Sequence, residues 1–132
     1  MHTREHASFS DWRFYARGSW SPDGRAATSV IDAFSLMTVG WNDYVGKYVA
    51  VRTMVLSSVI RIRTADRPEG PWAEEILIEG RTPAFILPWI GSSFGHPELA
   101  GKGGRVELLT CTRGLGPFRN ETRAVEIEFQ KR

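Results

Sequence analysis

Apolar and polar residues alternate with a period of two through the middle of the chain. From Lys47 to Val55, the residues Val49, Val51, Thr53 and Val55 fall on one face, and Tyr48, Ala50, Arg52 and Met54 on the other. Ser58 to Thr64 repeats the pattern, with Ile60, Ile62 and Thr64 opposite Val59, Arg61 and Arg63. Side chains that change face at every residue belong to strands, whereas a helix returns its apolar positions every three or four. Upstream, Phe34 to Trp41 reads as a further strand, and Asn42-Asp43-Tyr44-Val45-Gly46 supplies turn chemistry between the two. Downstream, Arg67-Pro68-Glu69-Gly70-Pro71 is a rigid turn ahead of a short strand from Glu74 to Ile78. Four short consecutive strands with tight connections predict an antiparallel four-stranded meander.

On the N-terminal side, Trp12 to Arg17 and Arg25 to Ile31 read as a strand pair around Ser21-Pro22-Asp23-Gly24, although Arg25 to Met37 also tolerates a helix. On the C-terminal side, Thr82 to Gly91 holds two prolines and a Trp in an irregular crossing. Strands are then expected at Ser92 to His96, Gly104 to Thr112 and Ala124 to Gln130. Gly101-Lys102-Gly103-Gly104 lacks the spacing and the Ser/Thr of a phosphate loop and reads as a hairpin turn. The sum is an all-β chain of about nine strands, a single domain over residues 1–132 with a flexible segment over residues 1–11.

Composition narrows the function classes. With 42% hydrophobic residues and five Trp in 132 residues, the chain can bury a core. The formal net charge is only +2, and the 17 basic residues are scattered among 15 acidic ones. No Lys/Arg run builds the dense positive field that a phosphate backbone requires, so nucleic acid is not an expected partner. Cys111 is the single cysteine and sits in the apolar run Val106 to Cys111, which makes it a core filler rather than half of a disulfide. Residues 1–10 lack the apolar stretch of a secretion signal, and no segment has the length of a membrane span. As written the chain reads as cytoplasmic, or as secreted if an N-terminal portion precedes it.

Four segments carry a resemblance. Val45-Gly46-Lys47-Tyr48-Val49-Ala50-Val51 leads into Val59-Ile60-Arg61-Ile62-Arg63-Thr64-Ala65; then come Pro68-Glu69-Gly70-Pro71-Trp72 and Gly95-His96-Pro97-Glu98-Leu99. Their order over Trp12 to Phe129 resembles the C-terminal blades of five-bladed β-propeller glycosidases of the arabinanase and xylosidase type, and of related glycosidase-like domains. The resemblance implies a partial β-propeller with a carbohydrate-facing channel rimmed by the first strand of each blade. Nine strands make about two and a quarter four-stranded blades, against about four to eight in a closed propeller. Completion by a second copy, a homodimer, is therefore expected, since open edges and apolar faces are aggregation hazards.

In such enzymes carboxylates from three blades flank the glycosidic bond. The neighbourhood where the resemblance places the acid reads Ile31-Asp32-Ala33-Phe34-Ser35, with Asp32 as its only carboxylate. The catalytic set is thus incomplete, and the candidates are Asp32, Asp43 and Glu98. His96 is placed in the channel by the resemblance, as a ligand for water or a metal ion such as calcium; a structural hydrogen bond is the alternative. Trp41 beside Asn42 suits a sugar site, the indole stacking on a ring and the amide bonding hydroxyls, or else forms a core Trp with a turn Asn. Arg52, in mid-strand, needs a partner, either an acid in the channel or water at an edge. Trp20, Trp72 and Trp89 flank Gly/Pro turns and are expected to pack between blades. The functions in view are a carbohydrate-binding module derived from a glycosidase-like propeller, a minimal glycoside hydrolase with its site assembled between chains, and a small β-barrel for an apolar ligand.

Overall fold

In a computed structural model the chain forms two compact units, Met1–Asp32 and Ala33–Arg132. The structure describes residues 8–32, 36–53, 57–79 and 90–130. Among them it is all-β, with nine strands in three antiparallel sheets and no sheet that closes into a barrel.

In the first unit, β1 (Phe14–Ala16) pairs with β2 (Ser19–Ser21), Ala16 lying opposite Ser19. The connection is therefore the two residues Arg17 and Gly18, both at positive φ (48° and 100°), the backbone that two-residue hairpins favour. This corrects the expected pairing of residues 12–17 with residues 25–31. The Ser21-Pro22-Asp23-Gly24 segment does not join the strands but follows the second of them, and Gly24–Ala26 is a single 3-10 turn, not a strand. The physical reason is local: the Asp23 carboxylate accepts a 2.9 Å bond from the Arg25 amide and curls the chain there. Residues 9–11, within the expected flexible segment, form another 3-10 turn, with the Ser8 amide bonded to Asp11 at 3.2 Å; residues 1–7 lie outside the described part. Trp20, expected between blades, is exposed and meets Tyr15 edge-on at 5.5 Å.

The second unit holds the predicted meander. β3 (Met37–Asn42), β4 (Lys47–Thr53), β5 (Val59–Ala65) and β6 (Ile76–Glu79) pair in sequence order. Asn42 shapes the β3–β4 turn: its side-chain oxygen accepts from the Val45 amide at 3.0 Å, and its carbonyl from Gly46 at 2.8 Å. The second sheet is β7 (Ile90–Gly101), β8 (Val106–Gly116) and β9 (Arg119–Glu128), each longer than the alternation suggested. The Gly-Lys-Gly-Gly turn joins β7 to β8 as expected, with Lys102, Gly103 and Gly104 all at positive φ. The crossing predicted from Thr82 and the side chain of Trp89 lie outside the described residues.

The two sheets face each other. Val49 and Val51 of β4, Ile60 and Ile62 of β5, and Leu109 and Cys111 of β8 make one buried cluster, joined by Ile78, Ile127 and Phe129. Each fully buried aliphatic side chain here contributes roughly 2 kcal/mol by leaving water. The first strands of the two sheets also touch. The Gly95 amide donates to Thr38 Oγ1 at 2.7 Å, and a Cβ on Gly40 would stand 2.6 Å from Pro97 Cγ. Pro97 fits in β7 because the pairing jumps from His96–Leu108 to Gly101–Val106, which leaves residues 97–100 opposite Glu107 alone. A bulge needs no ladder hydrogen bond from the proline.

Candidate functional site

Apart from Asp32, the residues singled out from sequence fall into four separate hydrogen-bonding clusters, two of which share a face. Registry fixes that face. Trp41 lies opposite Tyr48, Val39 opposite Ala50 and Met37 opposite Arg52. Tyr48, Ala50 and Arg52 in turn lie opposite Ala65, Arg63 and Arg61. Directly paired residues point the same way, so all of these occupy the side of the meander turned away from the second sheet.

At one end of the face stands Trp41, 47% exposed. Its ring meets Tyr48 edge-on, centroids 5.2 Å apart, and its Nε1–H donates to Asp43 Oδ1 at 2.9 Å. An indole held from its edge and through its nitrogen is fixed with part of its apolar surface still in water.

At the other end, Arg52 and Arg61 share one carboxylate, Glu75. Arg52 is only 6% exposed, and both guanidinium groups keep a buried Nε–H that has no hydrogen-bond partner. Two cations on one anion leave an excess positive charge, and each unpaired buried donor costs about 1–3 kcal/mol. Hydrogen bonding from Arg52, reinforced by Arg61, holds the Glu75 carboxyl below its ordinary range against the opposing effect of burial. Arg63, between the two ends, donates to the carbonyls of Ala73 at 2.7 Å and Trp72 at 3.0 Å.

Asn42 points the other way, into the space between the sheets. It is buried, and its Nδ2 donates to the Gly104 carbonyl at 2.8 Å and to Glu107 Oε2 at 3.2 Å. Its amide is thus engaged in folding rather than displayed beside Trp41. Glu107 is itself only 2% exposed, and burial pushes its carboxyl above the usual carboxylate range; the bond from Asn42 offsets this in part.

His96 is on the second sheet, on the side opposite Leu109 and Cys111. Its Nδ1 lies 2.9 Å from Glu98 Oε1 and its Nε2 2.8 Å from Thr110 Oγ1. With a carboxylate accepting from Nδ1–H, a neutral ring accepts from the threonine hydroxyl at Nε2. Glu98 is 63% exposed, and its bond to His96 lowers its pKa. Among the described residues no three His, Cys, Asp or Glu side chains converge as metal ligands.

Of the three candidate acids, Asp43 and Glu98 are exposed and sit in different clusters, and Asp32 is exposed at the end of the first unit. Glu75, Arg61, Glu107 and Thr110 were not anticipated as site residues. Glu107 did carry a signal: it shares the alternate phase of Leu109 and Cys111 and so had to face the core. Thr110 and Glu75 carried none, because each is recruited by a side chain distant in sequence.

A family model described as "Domain of unknown function (DUF4185)" matches residues 1–111, which includes both aromatic and arginine ends of the meander face. The chain belongs to the DUF4185 family. No curated protein matches it. The DUF4185 match extends through β7 and into β8, so His96 and Glu107 lie within it as well. Among the described residues of this DUF4185 chain, no helix is long and apolar enough to cross a membrane.

Proposed function

We propose that the chain is a carbohydrate-binding module of propeller-like build, with the outward face of the meander as its sugar platform. The observation that carries this reading is Trp41, a fixed and half-exposed indole with a carboxylate on its nitrogen. Such a ring offers an apolar surface to the C–H face of a pyranose or furanose, while Asp43 accepts from ring hydroxyls at its edge. The propeller-like part of the reading is supported by the contact between first strands, Thr38 to Gly95 and Gly40 to Pro97, which is how consecutive blades meet around an axis. Among the described residues neither sheet closes on itself, and a second copy would pair with an edge strand.

Hydrolysis is the less favoured reading because of the charge states. Glycoside cleavage needs one carboxyl held protonated near neutral pH. Glu98 is shifted the opposite way by His96, and Glu107, the carboxyl that is shifted upward, is enclosed between sheets.

The test is titration of the full chain with a panel of neutral and acidic oligosaccharides, followed by intrinsic tryptophan fluorescence and calorimetry. Wild type should bind at least one class, and Trp41→Ala should weaken it by ten-fold or more, since stacking on an aromatic ring contributes about 1–3 kcal/mol by analogy with bases. Affinity unchanged by Trp41→Ala removes the platform. Light scattering over a concentration range tests the assembly; a strict monomer refutes completion by a second copy.

A further inference from the structure

The proposed platform rests on Trp41, but the same face carries an unbalanced pair of arginines two rungs away. Successive same-face residues on a strand are about 7 Å apart, so the Arg52–Arg61 pair lies roughly 13 Å along the strands from the Trp41–Tyr48 pair, with Arg63 between them. That is the separation of one end of a short oligosaccharide from the other. Arg61 keeps a quarter of its side chain in water. It meets Glu75 through Nη1, which leaves its Nε–Nη2 edge turned from that carboxylate. The Nε–H on this edge is closed to solvent and unpaired in the structure, and with Nη2 it would make two parallel donors matched to a carboxylate or sulfate that displaces the groups covering it. Arg52, more than nine-tenths buried, offers a second unpartnered Nε–H at the adjoining position. A buried donor without an acceptor calls for an explanation such as an ion, and two such donors on a cluster with surplus positive charge specify that the ion is negative.

We propose that this arginine pair binds the acidic group of an anionic sugar, a uronate carboxylate or a sulfate ester, while Trp41 stacks on a neighbouring ring. Glu75 orients the two guanidinium groups rather than completing their coordination. The inference rests on the platform reading above and names the ligand class for that same face.

The experiment measures binding of the full chain to a tetragalacturonate, to the same oligomer after carboxyl reduction, and to a sulfated neutral tetrasaccharide. The expected result is at least ten-fold tighter binding of one acidic probe than of the reduced one. Which acidic probe gains tells carboxylate from sulfate. Arg61→Gln should remove that gain, bringing the acidic probe's affinity down to that of the reduced oligomer. Arg61→Lys, which keeps the charge but loses the two-donor edge, should recover only part of it. Both variants leave buried Arg52 and its bond to Glu75 in place, and their far-ultraviolet circular dichroism and melting should match wild type. Equal affinity for acidic and reduced probes, with Trp41→Ala weakening both, overturns the acidic-group inference and spares the platform. An acidic preference that survives in Arg61→Gln also overturns it. Binding of none of the three, with Trp41→Ala equally inert, overturns the platform and the inference together.

Discussion

Asn42 and Glu107 meet at 3.2 Å between two sheets whose facing sides are otherwise largely apolar. The amide satisfies one oxygen of a carboxyl that burial disfavours in its charged form, so the native state holds the Glu107 proton more tightly than the unfolded chain does. Between the ordinary glutamate pKa and this raised one, folding takes up a proton. The contribution is therefore complete below the ordinary value and is lost as pH rises through the raised one. Glu107→Gln, which keeps the shape and an acceptor for Asn42, should remove that decline and be the more stable protein at the alkaline end. Urea midpoints for both proteins from about pH 4 to about pH 8 check this; parallel curves would mean that Glu107 does not titrate with folding.

Gly40 and Pro97 set how closely the first strands of the two sheets approach. A methyl group on Gly40 would sit 2.6 Å from Pro97 Cγ and 3.1 Å from its Cβ, and the proline ring cannot swing aside as a flexible chain would. Gly40→Ala should cost about 1–3 kcal/mol, the usual range for forcing an extra carbon into a packed contact. Pro97→Ala should recover part of the loss in the double variant. A double-mutant cycle by urea unfolding measures this coupling, and strictly additive effects would show that the strands do not meet through these residues.

The strands that were legible from sequence are those in which apolar residues recur at every second position along the face turned to the second sheet. In β4 and β5 the alternation of Val49, Val51, Ile60 and Ile62 against Tyr48, Arg61 and Arg63 fixed both the strands and their inward phase. The first hairpin was misread because Arg17-Gly18 is a weaker turn signal than the Pro-Asp-Gly stretch that follows, yet only the former takes two consecutive positive φ values. The length of β7 was hidden by Pro97, which a bulge accommodates and which a regular ladder would exclude. For the site, Trp41 was legible as a sugar-stacking or a core indole and Arg52 as a residue that needs a partner, and period two already put their strands in the same meander. Their common face depended on the register Trp41–Tyr48 and Met37–Arg52, which a turn-length change of one residue would reverse. Asn42, read as a neighbour of Trp41, lies on the opposite side for the same alternation that separates any two consecutive strand residues.

Glu75 is the sole carboxylate hydrogen-bonded to Arg52 and Arg61 among the described residues, and its loss strands a buried cation. Its pKa is depressed in the native state, first by the Arg52 hydrogen bond. The stabilisation is thus present above the ordinary glutamate pKa and disappears as pH falls through the depressed value. Glu75→Gln should lower stability at neutral pH by about 3 kcal/mol, the low end for breaking a buried pair on one side. The difference from wild type should shrink as the solution is acidified. Thermal melts at neutral and acidic pH read both effects. A constant difference across pH would assign the loss to shape rather than charge.

Cys111 gives a readout of whether the two sheets stay together. Its thiol is buried beside Leu109 and Val51, and burial pushes its pKa upward despite the nearby Arg113 and Arg123. Both the low thiolate fraction and the lack of access should protect it, because the thiolate is the reacting species. A disulfide-exchange reagent should label native protein only at the rate at which the sheets open, and label it at once in denaturant. Gly40→Ala, which loosens the contact between β3 and β7, should speed labelling in proportion to its loss of stability when opening and closing are fast. Immediate stoichiometric labelling of the native chain would show that Cys111 is reached without separating the sheets, and that the core cluster does not seal the space between them.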